Sequence, residues 1–237
     1  MTKYKIADVV FGVNIVTPYL KRLCAPYEYS GKDCEQVVFS ISRSEVEKVL
    51  ETFPSWSVGS AESEVLLNKF ANFLVENGLG FMFHSSAVAV DGKAYLFTAL
   101  SGVGKSTHVG LWRELLEDRA VMINDDKPCI TVKEGKVFVH GTPWQGKHNL
   151  GSNIKVEVEA ICKISRSEIN EIKTASVSEM IVTLLEQTVR PTEQKSMDNL
   201  IDLVEKVISS VRTYSLACDK SLQSAKLSYS AMTKGKL

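Results

Sequence analysis

Seven consecutive residues, Ser101-Gly-Val-Gly-Lys-Ser-Thr107, constrain this chain more than any other stretch. They lie between a short apolar run, Tyr95-Leu-Phe-Thr98, and a segment whose apolar residues Val109, Leu111, Trp112, Leu115 and Leu116 recur at helical spacing. Gly102 and Gly104 permit backbone conformations closed to other residues, so the turn can aim N–H groups at one point. A helix start just beyond adds partial positive charge. Strand, glycine turn and helix in that order predict a phosphate cradle of the P-loop kind, formed by Ser101, Gly102, Val103, Gly104, Lys105, Ser106 and Thr107. In such a cradle Lys105 reaches the β- and γ-phosphates of a nucleoside triphosphate, and the Ser106 hydroxyl holds Mg²⁺. The full pattern places Gly six residues before the Lys. This chain has Ala99 there, which fits wherever φ is negative.

The chemistry nearby is acidic. Asn124-Asp125-Asp126 follows the apolar run Ala120–Ile123, and ligands of open α/β sheets bind beyond the strand ends. One carboxylate can hold Mg²⁺, directly or through water, while the other takes a proton from an attacking hydroxyl. His84 precedes the hairpin that feeds the loop and can hydrogen-bond one of them. His108 reads as a surface or packing residue. Gly141-Thr-Pro-Trp144, continued by Gln145-Gly146-Lys147, forms a rigid turn. From it Trp144 could wall the site and Lys147 could meet a substrate phosphate or carboxylate.

Around this centre the chain reads as continuous folded protein. Strands are expected over Tyr4–Ile15, Tyr27–Tyr29 and Gln36–Ile41, then a helix opened by the capping box Ser42-Arg-Ser-Glu45. A longer helix covers Ala61–Asn77. Asp91-Gly92 and Glu134-Gly135 mark hairpins. The last seventy residues read as mostly helical, with a second capping box at Ser176-Val-Ser-Glu179, a strand over Tyr214–Cys218 and Asp219 capping a final helix. The expected organisation is an N-terminal α+β module, 1–76, and an α/β nucleotide-binding domain with a helical C-terminal part, 77–237.

Composition excludes several classes. Lys plus Arg number 28 and Asp plus Glu 28, so the charge excess of a nucleic-acid binder is missing. No apolar run approaches the ~18 residues of a membrane span, and no secretory leader is visible. Five scattered cysteines without CxxC spacing fit reduced thiols in the cytoplasm.

Taken together, His84-Ser-Ser-Ala-Val, the SGVGKST loop and Asn124-Asp-Asp resemble the C-terminal domain of HPr kinase/phosphorylase, a relative of the phosphoenolpyruvate carboxykinase core. The Gly141–Lys147 segment is similar to that of small bacterial HPr-kinase-like serine kinases. The resemblance runs from His84 to Lys147. It implies an α/β fold with a mixed sheet around the P-loop, and the cofactors ATP and Mg²⁺. The implied acceptor is a hydroxyl, serine above all, on a peptide, small protein or free amino acid; self-association is compatible with it. By position it makes Lys105 the phosphate lysine, Ser106 the Mg²⁺ hydroxyl, Asp125 the acid/base, Asp126 the metal partner and His84 their support. Phe138 stands where the family has a metal-binding Glu, which argues against two-metal coordination and a reverse phosphorylase reaction. The family's signature loop is replaced by GTPW, which argues against HPr as substrate. Two rivals remain: a nucleotide-gated binding module without chemistry, and a reduced carboxykinase.

Overall fold

A computed structural model describes residues 1–146, 149–191 and 193–233. The chain opens with a hairpin, β1 (Thr2–Ile6) and β2 (Val9–Val13), where the sequence suggests one strand over Tyr4–Ile15. Its two turn residues, Ala7 and Asp8, have φ of 50° and 64°. Two-residue hairpin turns require that handedness, and a glycine usually announces it. Here none does.

Next comes α1 (Pro18–Cys24), with Pro18 in its first turn and the Thr17 side chain accepting from the Leu20 N–H. The expected strand at Tyr27–Tyr29 is instead the end of a single 3₁₀ turn, Ala25–Tyr27, and Glu28 alone bridges to Tyr4. β3 (Val37–Phe39) runs parallel to β2 and completes a three-stranded sheet. α2 (Arg43–Thr52) begins on the full Ser42–Glu45 capping box. α3 (Val58–Glu76) then buries Leu66, Leu67, Phe70 and Leu74 against this sheet, with Phe70 packed on Phe11 and Phe39.

The rest of the described chain forms β4 (Gly80–Met82), β5 (Ser85–Val90), β6 (Lys93–Thr98), α4 (Lys105–Leu116), β7 (Ala120–Asn124), β8 (Cys129–Lys133) and β9 (Lys136–His140). These are followed by β10 (Lys155–Arg166), β11 (Glu171–Thr174), α5 (Val177–Glu186), α6 (Gln194–Ser210), β12 (Arg212–Cys218) and α7 (Leu222–Met232). The strands make one mixed, curled sheet with the path β4-β8-β9-β10-β6-β5-β7. β10 is its pivot. One edge of β10 pairs parallel with β6; the other pairs antiparallel with β9 over Lys155–Glu157 and then parallel with β12. The two hairpins expected at Asp91-Gly92 and Glu134-Gly135 are present, each with both turn residues at positive φ.

Two caps differ from expectation. Ser176 accepts from the Glu179 N–H, but the Glu179 carboxylate lies 3.3 Å from Lys163 Nζ rather than closing a box. Ser221, not Asp219, caps α7; Asp219 instead accepts from the Ser221 N–H.

Helices cover both faces of the large sheet. α5 and α6 bury Met180, Leu184, Leu203 and Val207 on one. On the other, α4 and α7 close over Phe97, Trp112 and Tyr229. A third core joins the small sheet and α3 to Met82, Cys129 and Trp144. Among the described residues no helix is long and apolar enough to cross a membrane. All five cysteines are free thiols.

Candidate functional site

Antiparallel pairing decides where the polar residues meet. β5 runs opposite to both β6 and β7, so its start lies at the same sheet end as their C-termini. His84, Ser85 and Ser86 therefore come beside the loop after Thr98 and the turn after Asn124. They and their neighbours enclose a cavity of ≈ 420 Å³, lined by His84, Ser101, Gly102, Gly104, Lys105, Ser106, Thr107, Asp125, Asp126 and Gly146.

The loop shows why each residue type stands where it does. Gly102 and Gly104 have φ of 78° and 130°, conformations that a Cβ makes costly. Ala99 has no positive φ and is 4% exposed, so alanine serves at that position. Lys105 begins α4, is buried, and donates from Nζ to the Ala99 carbonyl at 3.0 Å. Burial holds its ammonium below the ordinary lysine range, against the opposing pull of the Asp126 charge. Ser106 Oγ lies 3.4 Å from Ser86 Oγ. Val103 alone of the seven loop residues leaves the cavity wall and packs on the core beneath α4. Outside the cavity, Arg166 at the end of β10 donates to the carbonyls of Gly102 and Val103.

The turn after β7 is built by Asn124. Its buried side chain accepts from the Asp126 and Lys127 N–H groups, both at 2.9 Å, and donates to Thr142. Asp125 is 6% exposed and accepts from the Gly146 N–H at 2.5 Å. A Cβ on Gly146 would stand 2.6 Å from Asp125 Oδ2 and displace that carboxylate. Asp126 is more open and lies 3.4 Å from His84 Nε2. Burial, then the Lys105 charge, pushes the His84 pKa down while Asp126 opposes them, so the ring is neutral near pH 7. Gln187 Oε1 lies 3.0 Å from Nδ1, so a proton on Nδ1 is donated to it, while a proton on Nε2 faces the Asp126 carboxylate.

Three residues named from the sequence, Trp144, Phe138 and His108, fall elsewhere. Trp144 lies in the third core, with Nε1 donating to the Ser63 carbonyl at 3.2 Å and its ring stacked on Phe70; it borders a neighbouring cavity, not the glycine loop. Lys147 is outside the described residues. Phe138 is mid-strand in β9 under the Lys155 ammonium, 4.6 Å from its ring centre, and does not line the loop cavity. His108 is a core residue, bonded to Ser228 at 2.8 Å.

Gln187 and Arg166 carry no local signal in the sequence. Gly146 does carry one, as the glycine of a turn, but its pairing with Asp125 is visible only in three dimensions. No group of three or more His, Cys, Asp or Glu among the described residues is arranged to hold a metal by itself.

No family model matches the chain, and no curated protein matches it. Among solved structures it is similar to the HPr(Ser) kinase/phosphatase from Coxiella burnetii, at 10% identity and a TM-score of 0.38. That similarity covers 65% of this chain and 97% of the other, and is too loose to carry a role to any residue.

Proposed function

We propose that this chain is an ATP- and Mg²⁺-dependent kinase that transfers the γ-phosphoryl group to a hydroxyl, serine above all, on a peptide, small protein or amino acid. One observation carries the reading. Glycine-loop backbone, a buried Lys105, the Ser106 hydroxyl and two adjacent carboxylates share one cavity of ≈ 420 Å³. Phosphoryl transfer asks a protein for positioning and charge rather than covalent chemistry, and this set supplies both.

In this reading the loop is a P-loop. Its free amides and the start of α4 hold the phosphate oxygens, and Lys105 exchanges the Ala99 carbonyl for them. The donors fit Mg²⁺, which takes one or two carboxylates and otherwise relies on phosphate oxygens and water. Ser106 and Asp126 would hold it, and the bound ion would neutralise charge on the outer phosphates. Asp125, fixed by the Gly146 N–H, accepts the proton of the incoming hydroxyl. His84, with Nε2 3.4 Å from an Asp126 oxygen, orients that carboxylate. Asp126 borders both the loop cavity and its neighbour, which favours one alternative, an exchange of roles between the two carboxylates.

Incubation with γ-labelled ATP and a panel of serine peptides, free amino acids and lysate tests the reading. Label should pass to a hydroxyl acceptor and EDTA should stop it. ATP with Mg²⁺ at ~100 times its dissociation constant should raise stability by about 2.7 kcal/mol, and AMP far less. Equal stabilisation by AMP, or ATP hydrolysis indifferent to every acceptor, would overturn the kinase.

A further inference from the structure

Beside the loop cavity lies a larger one of ≈ 630 Å³. Asp126 and Gly146 line both, so whatever occupies the second faces the Asp126 carboxylate. The far wall comes from the N-terminal part of the chain: Tyr19 and Arg22 on α1, Trp56 before α3, and Glu64 on α3. Lys127 closes the near side.

The wall is fixed in place. Glu62 of α3 is 2% exposed and accepts from the N–H groups of Val16 and Thr17, at 2.6 and 2.9 Å, and from the Thr17 hydroxyl. That carboxylate ties the start of α1 to α3. Tyr19 also sits so close to Gly59 that a Cβ there would be 2.7 Å from its own Cβ.

Two cations, Arg22 and Lys127, share this cavity with two carboxylates, Glu64 and Asp126, the latter 3.4 Å from His84 Nε2. Glu64 Oε1 accepts from Asn68 at 3.1 Å. Arg22 has only the face of Tyr19, 6.0 Å away, and neither Arg22 nor Lys127 makes an ion pair among the described residues. Tyr19 and Trp56 are 39% and 38% exposed and line the cavity, Trp56 with one face stacked on Phe53 and Tyr19 beside Arg22. Cations without partners in a concave site favour an anion, and exposed aromatic rings favour an apolar or planar body beside it.

We infer that this cavity is the acceptor site, and that the acceptor carries an anionic oxyacid group, carboxylate or phosphate, held by Arg22 and Lys127. Its body rests on Tyr19 and Trp56, and its hydroxyl points across Gly146 to Asp125 and Asp126. The inference rests on the kinase reading and deepens it.

The test is calorimetry on the full chain with Mg²⁺ and a non-hydrolysable ATP analogue bound. Three hydroxyl-bearing probes are titrated: N-acetyl-L-serine, glycerol 3-phosphate and the neutral N-acetyl-L-serinamide. One anionic probe should bind about tenfold more tightly than the amide, and which one identifies the oxyacid. Arg22→Gln should remove that preference, leaving the amide and the ATP analogue with unchanged affinity. The inference is overturned if the amide binds as well as both anions, if Arg22→Gln weakens all three alike, or if none binds at millimolar concentration. A wild-type chain that does not bind the ATP analogue overturns the kinase reading as well. Normal nucleotide affinity without an anion preference overturns the acceptor site alone.

Discussion

The two neighbouring cavities are made in opposite ways. The glycine-loop cavity is assembled from three short segments at one sheet end, residues 84–86, 98–107 and 124–126, placed by strand pairing and by a loop whose glycines fix its shape, and Gly146 completes it. Its neighbour takes its far wall from two helices that meet through a buried side chain, Glu62. Main-chain pairing makes the first insensitive to all but a few side chains. The second rests on helix packing and on one buried carboxylate. Substitutions should therefore separate chemistry at the loop from placement of the wall.

The largest expected effect lies at the loop. Asp125→Asn keeps size and hydrogen bonding but removes the base, so turnover should fall by ~10²–10⁴ with ATP affinity little changed. Asp126→Asn should weaken Mg²⁺–ATP binding as well as turnover. If Asp126→Asn instead shows the pure rate defect, the two roles exchange. Wild-type transfer in both variants would reduce the pair to a solvated turn.

Acid should act on both regions. Burial pushes His108, on the buried face of the loop helix, and His140, beneath the N-terminal hairpin, each from 6.5 down to about 4. Above pH 6.5 both are neutral whether folded or unfolded, and they make stability independent of pH. Below it the unfolded chain binds protons that the folded chain refuses, so stability falls until about pH 4. Each histidine should account for about 3 kcal/mol of that loss. Denaturant unfolding across this range should show it, and His108→Gln should make the acid slope shallower. A flat profile from pH 6.5 to 4 would contradict the burial of both.

Glu62→Ala tests the wall. It strips the acceptor from two backbone N–H groups and a hydroxyl, at a cost of about 3 kcal/mol in stability. Nucleotide affinity should stay as it was, because no segment of the loop cavity touches Glu62. A variant that loses stability and ATP binding together would show that the two regions are one unit. The smallest effect expected is Lys105→Ala, which removes one charge-assisted phosphate contact worth roughly 1.5–3 kcal/mol. ATP should bind one to two decades more weakly, by calorimetry, to a chain that still folds. Unchanged affinity would remove the phosphate role from the loop.

The same contrast governs what the sequence reveals. The loop, the Asn124-Asp-Asp turn and the Asp91-Gly92 hairpin are local patterns, and each residue there has a conformational or chemical reason that can be read without the fold. β10 is harder to see. Lys155–Glu159 alternates, but from Val158 onward both sides of the strand are largely buried, and the period disappears. The Ala7-Asp8 turn lacks the glycine that would announce it. The acceptor wall joins residues near 20, 60 and 127 through contacts that no spacing in the chain encodes. Trp144 is the instructive case: a large aromatic in a glycine-rich turn invites a role at the site, and it borders the second cavity while its indole N–H finds the Ser63 carbonyl and its ring finds Phe70.

Arg166 has a consequence of its own. It grips the carbonyl oxygens of Gly102 and Val103 from outside the loop. A trans peptide is a rigid plane with C=O and N–H on opposite sides, so pulling the Val103 carbonyl outward turns the Gly104 N–H inward. The dipole facing the cavity is thus oriented before any anion arrives. An incoming phosphate meets a poled surface and little of its attraction is spent on reorganising the backbone, a saving that should register in the speed of capture more than in its strength.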